Sequence, residues 1–289
     1  MTVFPLLVLL VTSAVAHPLQ GLDGHEEVLQ LVSSLNYTEF VFGGDPVKLG
    51  QIPDQVLVLF KDSTGKSNSC GASLISPTHV LTAAHCSVEM ISGTTVIVGV
   101  VDIRNRGNEA QVVRVSKIST HPEFSNDKNY VNDIAVLELS SPVHLNFFVK
   151  VAQIYKDDSK FLEDKTALVS GFGTYKYVGK DSIHSPQLLA TDVTLFPFEY
   201  CNQTRKGNLK QEQQICAGAK NKGVGPGDSG GPLHVFRSPQ LVQIGIVSYG
   251  SPQKWVMAHL QDQLPAIFTR VSHYCDYINE VTGGIVECQ

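Results

Sequence analysis

The chain has 289 residues, with 22 Lys and Arg against 27 Asp and Glu, a net charge of −5 and only 17% charged residues. That balance offers no basic face to nucleic acid or to anionic lipid. A hydrophobic content of 43% with 24 glycines and 14 prolines suits a β-rich globule with many turns, long enough for one large or two small domains.

Residues 3–15 form an apolar run too short to span a bilayer comfortably. Ala14-Val15-Ala16 then fits the small-x-small cleavage pattern, which predicts a signal peptide over 1–16, cut before His17. No Lys or Arg precedes the run, and a buried N-terminal strand is the competing reading. No later run reaches ~18 apolar residues, so no membrane span is expected. In 17–40, Val28, Leu31, Val32 and Leu35 have the spacing of an amphipathic helix. Asn36-Tyr37-Thr38 is a glycosylation sequon, and Asn202-Gln203-Thr204 is a second. From Val41 the pattern changes to short apolar runs between turns, at 56–60, 94–100, 112–118, 134–139, 167–170, 189–195, 241–248 and 266–271. Such spacing predicts an all-β sandwich or barrel, with 141–165 as the connection between two halves. At the end, Tyr274, Tyr277, Ile278 and Val281 share one helical face, with Ser272 placed to cap its start and Gly283-Gly284 its end. Six cysteines in an exported chain suggest three disulfides, with 15 pairings open.

Three segments carry chemistry. Leu81-Thr82-Ala83-Ala84-His85-Cys86 offers a base, Asn132-Asp133-Ile134-Ala135-Val136-Leu137 a carboxylate, and Gly227-Asp228-Ser229-Gly230-Gly231-Pro232 a serine between glycines. A serine hydroxyl becomes a nucleophile only with a base beside it and a trap for the developing negative charge. The glycines let the backbone turn sharply and bring its N–H groups close to a substrate oxygen. A lone histidine is usually structural and Asp133 alone could cap a turn; the joint occurrence carries the inference. The order His85, Asp133, Ser229 opposes an esterase on an α/β-hydrolase fold, where the serine comes first, as does the lack of alternating strand and helix patterns.

On these three motifs the chain resembles the chymotrypsin/trypsin family of serine proteases over roughly 41–278. The resemblance implies two antiparallel Greek-key β-barrels with a C-terminal α-helix, about 41–145 and 150–272, with the active site between them in a peptidase domain of 41–289. It implies Ser229 as nucleophile, His85 as base, Asp133 as the residue orienting it, and the N–H groups of Gly227 and Ser229 as the oxyanion hole. It implies a precursor with a propeptide over 17–40, cut between Phe40 and Val41, whose new amine pairs with Asp228. It bridges Cys70 to Cys86 and Cys201 to Cys216. Cys275 and Cys288 are left to pair with each other, with two free thiols or a bond to another chain as the alternatives. Gly223, Val224, Ser248, Gly250 and Ala266 fall at the substrate-pocket positions. Nothing charged lies there, so an apolar residue is expected before the cleaved bond, chymotrypsin-like or elastase-like, and Gly223→Asp is expected to shift selectivity partly toward Lys and Arg.

The resemblance also marks departures. Gly225 stands where a cysteine usually braces the pocket rim, and Pro226 follows it. The segment 251–264 is longer than usual and holds the sole tryptophan, Trp255, expected to pack that loop down rather than to form a lid or subsite. No metal and no cofactor are expected: of the acids that hold calcium in trypsins only Glu109 has a counterpart, too few for 6–8 oxygen ligands. The partners implied are protein or peptide substrates and protein protease inhibitors, with no nucleic acid and no membrane, for a secreted monomer. A protease-fold binding protein of impaired activity is the alternative.

Overall fold

The structure, a computed structural model, describes residues 41–127, 129–162 and 165–289. After the short strand β1 (Asp45–Pro46), six strands make the first half: β2 (Gln55–Lys61), β3 (Ser67–Ser76), β4 (His79–Thr82), β5 (Thr95–Val98), β6 (Gln111–Thr120) and β7 (Ala135–Leu139). They close antiparallel in the order β2-β3-β4-β7-β6-β5. The second half holds β8 (Thr166–Gly171), the hairpin β9 (Thr174–Val178) and β10 (Asp181–His184), then β11 (Leu189–Phe196), β12 (Gln214–Gly218), β13 (Pro232–Arg237), β14 (Gln240–Tyr249) and β15 (Ala266–Arg270). The sheet β1-β11-β12-β15-β14-β13-β8 closes on itself through β11 and β8. The molecule is therefore two closed six-stranded antiparallel barrels, with every expected apolar run lying on a strand.

Strand alternation separates the cores. In β2, Val56, Val58 and Phe60 point into the first barrel, where they meet Leu74, Leu81, Val136 and Ile134. Leu57, one residue out of phase, joins Ile97, Leu168, Phe172 and Leu188 in a separate cluster that includes side chains of both barrels. The second barrel is filled by Val169, Leu233, Ile244 and Phe268. A period of two is thus used twice, once for a barrel and once for the seam. The seam buries apolar surface at roughly 25 cal/mol per Å² and fixes the orientation of one barrel on the other.

The C-terminal helix differs in detail from its expectation. A 3₁₀ turn over Val271–Tyr274 precedes the α-helix Cys275–Val281. Ser272 lies within that turn and does not cap the helix. The end is as expected: Gly283 and Gly284 take φ of 62° and 81°, and their N–H groups bond the carbonyls of Glu280 and Asn279. Three disulfides join Cys70 to Cys86, Cys201 to Cys216 and Cys275 to Cys288. No helix among the described residues is long and apolar enough to cross a membrane. The signal and propeptide assignments and Asn36 lie outside the described residues.

Candidate active site

His85 sits on α1 (Ala84–Ser87), one turn of helix that follows β4 and is tied to β3 by the Cys70–Cys86 bridge. Asp133 lies two residues before β7, the neighbour of β4 in the barrel. Its carboxylate is fully buried. Oδ2 accepts the His85 Nδ1–H at 2.8 Å and Oδ1 accepts the His85 backbone N–H at 2.9 Å. Two bonds to one residue fix both the ring's tautomer and its position, leaving Nε2 as the free basic nitrogen. Asn132, at φ 58°, aims the carboxylate from a loop whose turn is itself held: its amide donates to Glu123 O at 2.9 Å and accepts from the Tyr274 hydroxyl at 3.0 Å.

The second barrel completes the arrangement. Ser248 Oγ donates to Asp133 Oδ2 at 2.5 Å, and Thr269 Oγ1 donates to the Asp133 carbonyl at 2.8 Å. Ser248 was expected as a pocket residue. Its hydroxyl serves the carboxylate, which a buried anion requires. Ser229 precedes β13; its carbonyl accepts the Gly71 N–H at 2.8 Å and lies 3.7 Å from Sγ of Cys86, the residue next to His85. The following turn is spoken for, with Gly230 N–H on Val247 O and Gly231 N–H on Asp228 O. The N–H groups of Gly227 and Ser229 meet no protein acceptor among the described residues. They are thus available to a substrate oxygen.

That serine loop lies against β3 with no space to spare. A Cβ added to Gly71 would stand 2.7 Å from Gly231 Cα and 2.8 Å from its nitrogen, both backbone atoms that cannot swing aside. Gly71→Ala is therefore expected to displace Ser229 from His85. A shift near 1 Å typically costs ~10²-fold in turnover. Steady-state kinetics beside a circular-dichroism melt measures it; a variant within twofold of wild type would show that the contact does not position the serine.

Asp228, one residue before the nucleophile, is 1% exposed. It accepts the N–H groups of Gly173 and Gly225, each at 2.8 Å. Burial pushes its carboxyl up to about 7, against the pull of those two amides. The segment 41–44 is fastened nearby. Phe42 O accepts the Gly223 N–H at 3.1 Å, Gly43 O accepts the Thr191 hydroxyl at 3.2 Å, and the Phe42 ring packs on Tyr177. Val41 is 1% exposed with φ 38°, a conformation that costs a β-branched residue of order 1–3 kcal/mol.

At the pocket positions, Val224 and Ala266 are buried and Gly250 lies under Met257 Cε. Gly223 has φ 132°, and a Cβ there would fall 2.1 Å from Gln261 Oε1. A side chain at 223 is thus excluded twice over, by backbone conformation and by an occupied space. Gly223→Asp, expected from sequence to shift selectivity partly toward Lys and Arg, also has to displace the Gln261 amide, whose Oε1 lies 2.1 Å from the new Cβ. Gln261 itself, and Tyr130, were missed. Tyr130 stands edge-on to His85 and stacks on Tyr249, with ring centroids at 5.7 and 5.3 Å. His184, on β10, lies against Gly227, and burial lowers its pKa, which favours the neutral ring.

The longer segment forms a helix, α4 (Lys254–His259), counted after α2 (Ser159–Leu162) and α3 (Phe198–Thr204). Trp255 does not pack it down: the side chain is 64% exposed and leans on His259. The loop is held by Met257 over Gly250 and by two bonds from Gln261 to Val224 O and Met257 O.

Two closed barrels with a histidine–carboxylate pair on one and a glycine-flanked serine on the other define a chymotrypsin-like fold. A family model described as Trypsin matches residues 41–278. The chain belongs to that family of serine proteases. It is 30% identical to bovine chymotrypsin-like elastase family member 1 over 84% of this chain and 90% of that protein. It is 32% identical to phenoloxidase-activating factor 3 of Holotrichia diomphalia, covering 83% of this chain and 72% of that one. The human chymotrypsin-like elastase family member 1 is 27% identical over 84% and 93% of the two chains.

Proposed function

We propose that this chain is a secreted serine endopeptidase, made as an inactive precursor and cut between Phe40 and Val41, that hydrolyses peptide bonds through an acyl-enzyme. One observation carries the reading: a fully buried Asp133 orients His85 through two hydrogen bonds, with the Ser229 main chain held by Gly71 beside Cys86. Ser229 Oγ attacks the substrate carbonyl. His85 Nε2 takes the hydroxyl proton and returns it to the leaving amine, and the same imidazole then activates the water that releases the acyl group. Asp133 stabilises the imidazolium that forms in each half. The N–H groups of Gly227 and Ser229 receive the oxyanion, each such donor worth about 3–4 kcal/mol of barrier.

The precursor reading is supported by the burial and strained φ of Val41 and by the buried Asp228 carboxyl, which meets two backbone N–H groups but no cation among the described residues. Severing 40–41 removes the peptide constraint on Val41 and creates an ammonium group, the partner a buried carboxylate needs. The three disulfides support an oxidising compartment. Glycosylation at Asn202 is part of the proposal; the residue lies on α3. The uncharged pocket surface of Gly223, Val224, Gly250 and Ala266 supports neutral residues before the cleaved bond, since an Arg or Lys there would be buried without a counter-charge. The test is to cut the precursor after Phe40, label it with an organophosphonate, and profile a peptide library. Rapid, stoichiometric labelling of Ser229 with cleavage after neutral residues is expected. Absence of labelling would leave a protease-fold binding protein, and cleavage confined to Arg or Lys would overturn the pocket reading alone.

A further inference from the structure

Gln261 lies two residues beyond α4, in the segment that joins β14 to β15. It is 3% exposed. Its Nε2 donates to Val224 O and to Met257 O, each at 2.7 Å, which uses both amide hydrogens. Those two carbonyls also fix the orientation of the amide, because a flipped group would set oxygen against two acceptors. Oε1 is left buried with no hydrogen-bond partner among the described residues. Its direction is given by Gly223: the oxygen stands 2.1 Å from where a Cβ of that residue would begin. The amide oxygen therefore fills the space into which a side chain at the pocket base would project. A buried acceptor without a donor is costly until a donor reaches it, and such orphans are rare.

We propose that Gln261 Oε1 is the specificity determinant at the base of the primary pocket, and that it selects a neutral substrate side chain ending in a hydrogen-bond donor. Tyrosine and glutamine qualify; phenylalanine and methionine have the same reach without the donor. The inference rests on the peptidase reading above and narrows its substrate class. A site that bonds a substrate hydroxyl or amide disfavours the analogue lacking it, because the protein's own polar atom is then left unpaired. A lysine or arginine gains a dipole there but no counter-charge. The position is unusual in that the determinant comes from the long connecting segment, and the residue at the pocket base contributes only its lack of a side chain.

The test uses the full chain, processed after Phe40 and quantified by phosphonate titration, on peptide pairs that differ at one residue before the cleaved bond: Tyr against Phe, and Gln against Met. Wild type is expected to favour the donor-bearing member by about fivefold or more in kcat/KM, the worth of one net hydrogen bond. In Gln261→Leu both ratios are expected to fall to near one. Ratios at or below one in an active wild type overturn the inference, as do unchanged ratios in Gln261→Leu. The wild-type comparison needs no variant, so it decides the matter even if Gln261→Leu does not fold. If processed wild type neither takes up phosphonate nor cleaves any peptide, the peptidase reading fails and this inference with it; activity without donor preference sinks the inference alone.

Discussion

Ser229→Ala, made in the full chain and processed after Phe40, is expected to cleave peptides about a million-fold more slowly than wild type. His85→Ala should lose a comparable factor, and Asp133→Asn about 10⁴-fold, because an amide at 133 no longer fixes the productive tautomer. The effects should not add, since nucleophile, base and carboxylate act in one step. Asp133→Asn carries a second consequence: its carboxylate also receives Ser248 Oγ and the His85 N–H, so that variant should lose thermal stability where Ser229→Ala does not. Single-turnover and steady-state assays with a matched melting curve measure both. A serine variant that keeps a tenth of wild-type turnover would end the assignment.

The uncut precursor is expected to lose stability as pH rises from about 4 to about 7. Asp228 holds its proton in the folded precursor up to about 7, whereas the unfolded chain releases it near the ordinary carboxyl value of 3.8. Between those values the folded state binds more protons, so raising pH favours unfolding, by up to about 4 kcal/mol for a shift of this size. Asp228→Asn should flatten that dependence. Cleavage after Phe40 should reverse it, because an ammonium at Val41 stabilises the ionised carboxylate. The same substitution should block activation by at least about 100-fold despite a correct cut, through loss of the ion pair that a buried charge requires. Denaturant melts of precursor and processed enzyme between pH 4 and 8, with N-terminal sequencing, test the set. An uncut 17–289 protein with full activity would refute the activation scheme, and a pH-independent precursor would refute the role given to Asp228.

Much of this was legible in the chain because it is written locally. Each side chain of the proposed triad sits in a short segment whose composition points to its role, and the apolar runs report strands because alternate residues must be buried. What escaped reading depends on long-range placement. Ser248 was legible as a position, but its partner is a carboxylate 115 residues earlier. Gln261 carries no local signal; its role arises because α4 turns the segment back so that the amide meets Val224 and Gly223. Trp255 was read as a packing residue from its size, yet the helix presents it outward and Met257 does the packing. Ser272 has the chemistry of a cap, but the chain enters the last helix through a 3₁₀ turn.

The bonds of Asp133 also set an order of events during synthesis. His85 and Asp133 belong to a barrel whose strands are complete at Leu139, yet the Ser248 and Thr269 hydroxyls that hold the carboxylate and its carbonyl arrive from strands more than a hundred residues later. A ribosome-bound or prematurely terminated chain that stops short of Ser248 can contain the serine loop yet lacks both hydroxyls, so the Asp133 carboxylate and carbonyl go without these two partners.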